Sequence, residues 1–245
     1  MTVGLRAAWR LLRCMVHVLR GLGIVLLRFG GLDAAQRHER IRGWSAQMLH
    51  VMGIRIEVGG RVQRGGVLLV ANHVSWLDIT ALHAVVPQAR FVSKADIQSW
   101  PLLSRLADAA DTLYLERERK RDALRIVHLV AQALSERQTV AVFPEGTTSD
   151  GRALLPFHAN LLQAAIATST PVQPIALRFS DARLAVSPAV EFVGATTLVE
   201  SLWRVACADG LVAHIALLPA RPSANADRRA LAQTLRDDIA AALLR

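Results

Sequence analysis

A histidine and an aspartate five residues apart are the side chains best suited to catalysis. His73 and Asp78 belong to the segment Asn-His-Val-Ser-Trp-Leu-Asp at residues 72–78, directly after the apolar run Val67 to Ala71. Residues five apart on one helix point about 140° away from each other, so the pair meets only if His73 lies on a turn and Asp78 in the first turn of a helix. An imidazole supported by a carboxylate is a general base for a hydroxyl group.

A purely structural interpretation of this segment stays open at this point. Ser75 is a good N-cap residue, and Ser75 with Asp78 could form a capping box that closes the start of a helix. His73 would then be an ordinary turn residue. The spacing of these residues does not decide between a general base supported by a carboxylate and a helix cap.

A second candidate site follows another apolar run. Residues 142–151 read Val-Phe-Pro-Glu-Gly-Thr-Thr-Ser-Asp-Gly. Pro144 and Gly146 favour a turn, and the hydroxyl groups and amides after them can donate to an oxyanion or a phosphate, while Glu145 can hold a hydroxyl. Ligands collect at the ends of such strands. A strand that ends in a turn of Gly and Thr is nevertheless common in proteins.

Four blocks in a fixed order are more specific than either site alone. The blocks are Asn72 to Asp78, Lys94 with Arg117, Phe143 to Thr147, and Pro171 to Leu177. Together they resemble the glycerolipid acyltransferase family, which includes 1-acylglycerol-3-phosphate acyltransferases and other lysophospholipid acyltransferases. The resemblance covers roughly residues 65–180 closely.

The resemblance implies a role for each matching residue. His73 would take the proton from a lysolipid hydroxyl as it attacks an acyl thioester, and Asp78 would orient His73. Lys94 and Arg117 would be candidate cations for a phosphate. The donor would be acyl-CoA or acyl-carrier protein, with no cofactor and no metal. The implied substrate-binding set is Asn72, Ser75, Lys94, Arg117, Glu145, Gly146, Thr147, Thr148 and Ser149.

Two positions depart from the family pattern. Thr148 stands where acyltransferases of 1-acylglycerol-3-phosphate usually have an Arg, so phosphate recognition would fall to Lys94, Arg117 or Arg152. Ser104 replaces a usual Gly, for which we expect only a small effect on loop shape. The predicted product is phosphatidic acid from 1-acylglycerol-3-phosphate. The alternative acceptor is a lyso-ornithine lipid, because the run after Gly146 looks like that of bacterial members that include lyso-ornithine lipid acyltransferases.

The patterning of the chain predicts an α/β fold with a mixed, largely parallel sheet covered by helices and preceded by an N-terminal membrane-interacting helix. We expect a membrane-associating segment at 1–54 and an acyltransferase domain at 55–245. Short β-branched runs predict strands at 55–58, 67–71, 90–93, 112–115, 139–143, 172–178, 190–193 and 212–217. Helical spacing predicts helices at 77–84, 119–136, 159–167, 198–208 and 226–244.

Residues 6–28 predict an amphipathic helix with a very wide apolar face. Its interrupted apolar pattern fits neither a secretory signal nor a spanning helix, so we expect it to lie in the membrane interface. The alternative is a core helix with a solvated basic edge. The basic stripe should reach anionic lipid head groups and make membrane binding sensitive to salt. This stripe consists of Arg6, Arg10, Arg13, His17, Arg20 and Arg28.

Charge and composition support a membrane protein of the cytoplasmic face. Residues 1–60 contain nine Arg against Asp33, Glu39 and Glu57, which places +6 of the net +9 there. Two cysteines far apart fit a reducing compartment. We therefore expect peripheral or monotopic attachment to the cytoplasmic face of a bacterial inner membrane, with anionic lipids as partners.

Other function classes fit the sequence less well. The chain has no Gly-x-Ser-x-Gly elbow, which argues against a serine hydrolase. One Tyr and the absence of interleaved basic and aromatic residues argue against nucleic acid as a partner. A basic membrane-binding scaffold without enzymatic activity is the remaining alternative, and it predicts lipid binding without acyl transfer.

Overall fold

A seven-stranded sheet forms the centre of the protein. The structure is a computed structural model that describes residues 2–94, 98–115 and 120–244. The strand order is β1-β7-β6-β2-β5-β3-β4, and all neighbours are parallel except the antiparallel pair β6 and β7. The strands are β1 (Ile54–Gly60), β2 (Val67–Ala71), β3 (Ala89–Lys94), β4 (Leu113–Leu115), β5 (Thr139–Val142), β6 (Val172–Ser180) and β7 (Leu211–Leu217).

Helices cover both faces of this sheet. They are α1 (Val3–Arg28), α2 (Ala34–Val51), α3 (Leu77–Val85), α4 (Pro101–Ala109), α5 (Lys120–Ser135), α6 (Leu162–Ala167), α7 (Leu198–Cys207) and α8 (Arg228–Leu243). Along β2, Val67 and Leu69 join a core with α1, α2, α3 and α7, whereas Leu68 and Val70 join a second core with α5, α6 and α8. Because side chains alternate along a strand, these two cores lie on opposite faces of the sheet.

Most predicted elements are confirmed with small shifts at their ends. The strand predicted at 190–193 is wrong, because Pro188–Val190 form a 3-10 turn and Phe192 donates its backbone N–H to the Val74 carbonyl oxygen in another loop. Helix α4 was not predicted. Ser104 lies inside α4, so it belongs to a helix and not to the loop that we expected.

The orientation of α1 reverses the prediction for its basic stripe. Arg6 pairs with Asp209, and Arg10 donates to the carbonyl oxygens of Ala206 and Ala208 at the end of α7. His17 is buried and its ring stacks on Trp44 of α2.

These three basic side chains therefore contact other parts of the protein. For Arg6 and Arg10 the partners include carbonyl groups at the end of α7, which lack partners within their own helix. Arg20 and Arg28 remain exposed. The outward face of α1 is apolar instead, and its exposed residues are Val3, Leu5, Trp9, Leu12, Met15, Val16, Leu19, Leu26 and Leu27.

Helix α2 begins with a capping box. The Asp33 carboxylate accepts from the Gln36 backbone N–H, and the Gln36 side chain accepts from the Asp33 N–H. Within the described part of the chain, no helix has both the length and the apolar character needed to cross a membrane.

Candidate active site

Two neighbouring parallel strands end at the candidate site. The paired residues Val70 of β2 and Val142 of β5 lie side by side, so the loops that follow them leave the same edge of the sheet. These loops are residues 72–76 and residues 143–158, which contain the two motifs singled out in the sequence. The parallel pairing therefore brings together groups that are about 70 residues apart in sequence, as in other open α/β sheets.

His73 and Asp78 form the predicted pair. His73 lies in the loop after β2 and Asp78 in the first turn of α3, and His73 Nδ1 is 2.7 Å from Asp78 Oδ2. The Asp78 side chain is fully buried, whereas 18% of the His73 side chain is exposed. Because a carboxylate accepts, Nδ1 carries the proton in this bond and a neutral imidazole has its acceptor lone pair on Nε2.

The same carboxylate also fixes the backbone of the loop. Asp78 Oδ2 accepts from the backbone N–H of Val74 at 2.7 Å and of Ser75 at 2.9 Å. Both interpretations of this segment therefore apply, because the Asp78 carboxylate closes the start of α3 and also orients His73. The Ser75 hydroxyl does not act as a cap. It is buried and has no hydrogen-bond partner among the described residues, and its contact with substrate stays a prediction.

Glu145 holds two loops together. Its Oε1 accepts from the His73 backbone N–H at 2.8 Å and its Oε2 from the Leu155 N–H at 2.9 Å. Only 3% of the residue is exposed. Burial raises the pKa of this carboxyl group, while the two backbone hydrogen bonds oppose that shift. Glu145 thus contacts the loop of residues 72–76, which carries His73, where we had expected a contact with substrate.

The hydroxyl residues after Gly146 also face the protein. The Ser149 backbone N–H donates to the His73 carbonyl oxygen at 2.8 Å, and the Ser149 side chain is buried against the same oxygen. Thr148 donates its hydroxyl hydrogen to the Phe192 carbonyl oxygen. Both hydroxyl groups therefore donate to backbone carbonyl oxygens of the protein, and their contact with substrate stays a prediction. Together with Glu145, Ser149 fixes His73 at both its N–H and its carbonyl group.

Asn72 is another predicted substrate ligand that makes hydrogen bonds within the fold. Its side-chain amide donates to the Leu177 carbonyl oxygen at 2.9 Å and accepts from the Leu177 N–H at 2.7 Å. Only 1% of the residue is exposed. Asn72 thus ties the loop after β2 to β6 through both polar atoms of its side chain, and the expected substrate contact stays a prediction.

Phe143 is a site residue that the sequence analysis did not single out. Its ring stacks on the His73 imidazole with 4.0 Å between the ring centroids, and on the other side it contacts Phe91. Phe143 directly follows β5, beside the loop that follows β2 and carries His73. Its position before Pro144 could therefore have suggested a contact with that loop. The stack limits rotation of the imidazole.

The remaining predicted ligands have different positions. Thr147 is exposed, and Gly146 adopts a left-handed backbone with φ of 69° in the turn after Pro144. Arg152 forms ion pairs with Asp150 and Glu191. Lys94 is the last residue of β3, but its side chain lies outside the described part of the chain, as does all of Arg117.

The arrangement suits proton abstraction from a hydroxyl group. An imidazole with Nδ1 bonded to a buried carboxylate accepts a proton at Nε2, and the carboxylate stabilises the imidazolium. Among residues 2–94, 98–115 and 120–244, no group of three or more His, Cys, Asp or Glu side chains is placed to hold a metal ion.

Comparison with known proteins gives a consistent result. Residues 54–178 match the family model named Acyltransferase. A lyso-ornithine lipid O-acyltransferase of Pseudomonas aeruginosa is 34% identical over 245 residues, which cover 95% of this chain and 94% of that protein. A 1-acyl-sn-glycerol-3-phosphate acyltransferase of Neisseria meningitidis is 37% identical over 199 residues, covering 79% of this chain and 76% of that protein.

A solved structure resembles the fold over nearly its whole length. The crystal structure of the 1-acyl-sn-glycerophosphate acyltransferase PlsC from Thermotoga maritima superimposes with a TM-score of 0.69. The match covers 96% of each chain at 17% sequence identity. At that identity the similarity establishes the fold.

Proposed function

The chain belongs to the acyltransferase family, and from that membership we propose that it transfers a fatty acyl group from an acyl thioester to the free hydroxyl of a lysolipid. The first acceptor proposed is 1-acylglycerol-3-phosphate, which would give phosphatidic acid. The observation that supports this chemistry most strongly is the 2.7 Å contact between His73 Nδ1 and the buried Asp78 carboxylate.

The reaction needs two proton transfers, one to His73 and one from His73. His73 Nε2 takes the hydroxyl proton as the acceptor oxygen attacks the thioester carbonyl carbon, and Asp78 stabilises the imidazolium. The tetrahedral intermediate then collapses, the C–S bond breaks, and the sulfur leaves with the electron pair. The thiolate takes the proton from His73, which leaves an ester, a free thiol and a neutral imidazole. No acyl-enzyme forms.

A lyso-ornithine lipid is the second candidate acceptor, and one observation favours it. Thr148 stands where a bidentate Arg would bind phosphate, and its hydroxyl group is used by Phe192. Arg152 is paired with two carboxylates. Ornithine carries no phosphate, so its recognition does not need these groups. A phosphate acceptor would depend on Lys94 and Arg117 instead.

The outward face of α1 supports attachment to a membrane surface. A contiguous stripe of large exposed apolar side chains on a surface helix is costly in water and typical of helices that lie in a lipid interface. Attachment by this face would bring the site close to the lysolipid acceptor. We extend the proposal to peripheral attachment of this kind on the cytoplasmic face, with anionic lipids contacting Arg20 and Arg28.

The decisive experiment compares His73→Ala with the native chain. Purified proteins are given an acyl thioester and either 1-acylglycerol-3-phosphate or a lyso-ornithine lipid, and released thiol and acylated lipid are measured. Loss of the general base should lower kcat by about 10³-fold with either acceptor. The matched control is His128→Ala on α5, where an exposed histidine is removed far from the site.

The acceptor that supports turnover in the native chain identifies the substrate. Turnover of His73→Ala at the native rate would contradict the catalytic assignment. Lipid binding without acyl transfer by the native chain with either acceptor would favour the scaffold alternative.

A further inference from the structure

A cavity of about 330 Å³ lies on the face of the sheet opposite α1. It is bounded by α8 and by the loop that leads away from the active site. Arg229, Gln233 and Arg236 line it from α8, and Pro156 and Phe157 line it from the loop. Arg229, Gln233 and Pro156 are exposed, so the cavity is accessible from solvent.

The polar lining of this cavity is basic. Two of its lining residues are Arg, and none of them is acidic. Arg236 donates from Nε to the Leu155 carbonyl oxygen at 3.1 Å and from Nη2 to the Leu154 carbonyl oxygen at 2.7 Å. These bonds fix the guanidinium group in the cavity wall. Guanidinium groups form charge-assisted hydrogen bonds with phosphate, so a cavity lined by two Arg residues favours a phosphate-bearing ligand.

A short chain of hydrogen bonds joins the cavity wall to the catalytic loop. Arg236 contacts the Leu155 carbonyl oxygen, the Leu155 N–H donates to Glu145, and Glu145 accepts from the His73 N–H. The loop of residues 143–158 therefore begins beside His73 and ends at the cavity. A ligand whose head occupies the cavity would lie against the same loop that holds the catalytic base.

The two faces of the sheet also differ in what they present to their surroundings. The α1 side exposes large apolar side chains, whereas the α8 side carries this basic cavity. The acyl thioesters that serve as donors have an apolar acyl chain at one end and a phosphorylated head at the other. A charged phosphate is strongly hydrated and stays in water, so it belongs on the face away from lipid.

We propose that this cavity binds the phosphate-bearing head of the acyl donor, with Arg229 and Arg236 as its ligands. The inference rests on the acyl-transfer function proposed above. The shared chemistry is the phosphate of the phosphopantetheine group, which occurs both in coenzyme A and on a carrier protein. The proposal is tested at Arg229, because Arg236 also holds the loop of residues 143–158 and its replacement would disturb that loop.

The test compares Arg229→Gln with Arg228→Gln. The two residues are adjacent in the first turn of α8, lose the same charge and are both exposed, but only Arg229 lines the cavity. Arg229→Gln should raise KM for acyl-CoA about tenfold, the loss expected for one charge-assisted hydrogen bond, and leave kcat nearly unchanged. Arg228→Gln should behave like the native chain.

A donor without phosphate distinguishes the loss of a phosphate contact from any other effect of the Arg229→Gln substitution. With acyl-pantetheine, KM should be the same for the native chain and for Arg229→Gln, because the phosphate contact is absent in both. An equal rise of KM with acyl-CoA and acyl-pantetheine would overturn the proposal, and so would an unchanged KM with acyl-CoA. Comparing the native chain with Arg229→Gln when acyl-carrier protein is the donor tests whether the cavity also binds the phosphopantetheine phosphate of a carrier protein.

Calorimetric binding of free coenzyme A tests the cavity without turnover. We expect binding by the native chain and by Arg228→Gln and about tenfold weaker binding by Arg229→Gln. If adenosine 3′,5′-bisphosphate competes for this site, the nucleotide of coenzyme A contributes the phosphate. Equal affinity of both variants would refute the cavity site even if acyl transfer is confirmed. Failure of acyl transfer with retained, Arg229-dependent binding would refute the function but not the site.

Discussion

At the scale of single residues, the catalytic histidine is held by groups that the fold has removed from solvent. Asp78 binds the His73 ring and two backbone N–H groups with one oxygen. Glu145 and Ser149 bind the backbone of His73 on both sides. Several conspicuous polar residues of the two motifs therefore hold His73 and its loop in place. Such preorganisation reduces the reorganisation needed when the imidazole becomes charged.

Glu145→Gln tests this positioning role. The glutamine side chain keeps one acceptor oxygen, but its amide group cannot accept the second backbone N–H, so one of the two loops loses a charge-assisted bond. We expect kcat to fall about tenfold or more with little change in KM for the lysolipid. Steady-state kinetics at varied acceptor concentration measure both constants. A large rise in KM with unchanged kcat would instead assign Glu145 to acceptor binding.

At the scale of secondary-structure elements, α1 is attached to the sheet domain through polar contacts at the end of α7. The Arg10 guanidinium donates to two carbonyl oxygens there and lies against Gly53, the residue between α2 and β1. Gly53 has φ of 79°, a left-handed conformation that favours glycine. Three elements therefore meet at one guanidinium group.

Gly53→Ala should weaken this junction. A methyl group at Gly53 would lie 2.2 Å from Arg10 Nη2, so the Arg10 guanidinium must shift, and the left-handed backbone adds about 1–2 kcal/mol. We expect the free energy of unfolding in urea to fall by about 2 kcal/mol or more. The control is Gly59→Ala on β1, where no atom lies within 4 Å of the added carbon. Equal stability of the two variants would contradict this account.

The junction of α3 and β3 contains a buried histidine that the mechanism does not use. His83 contacts the Ala89 carbonyl oxygen at 3.0 Å, and burial lowers its pKa from 6.5 to about 4. Between these values the unfolded chain binds a proton that the folded chain does not bind, so stability falls as the pH decreases from about 6.5 to about 4. The maximum contribution is about 3 kcal/mol.

His83→Gln should reduce this acid sensitivity. The glutamine amide can still donate to the Ala89 carbonyl oxygen, but it does not titrate. Urea unfolding at pH 7 and at pH 4.5 should show a smaller difference for His83→Gln than for the native chain. An identical difference in both proteins would show that the acid sensitivity comes from other groups.

At the scale of the whole molecule, the two sides of the sheet expose different surfaces, one apolar and one with a basic cavity. The side with α1 exposes apolar residues and turns Arg6, Arg10 and His17 inward. The active site lies at one edge of the sheet, between the apolar side and the side with the basic cavity. Attachment through α1 is therefore expected to depend mainly on apolar contact, with a modest contribution from the exposed Arg20 and Arg28.

The combined variant Leu12→Gln, Met15→Gln and Leu19→Gln should weaken binding to lipid vesicles by at least about tenfold, because three large apolar side chains no longer enter the interface. Vesicle co-sedimentation at varied salt measures this loss. The control is Leu124→Gln on α5, an equally exposed leucine on the opposite side. Binding that stays unchanged in the combined variant, or that disappears at high salt in the native chain, would favour attachment through charge.

The reaction class and most of the secondary-structure elements could be predicted from the sequence, whereas the contacts of each polar group depend on the folded chain. Strands, helices and the proximity of His73 and Asp78 follow from local patterns, because periodicity and short spacing are properties of neighbouring residues. The bonds of Asn72 and Glu145 join residues 105 and 72 positions apart, which no local pattern encodes. The basic stripe of α1 was equally ambiguous, since a helix has the same periodicity whichever face meets the protein. Only the unpaired carbonyl groups at the end of α7 required Arg10 to face inward.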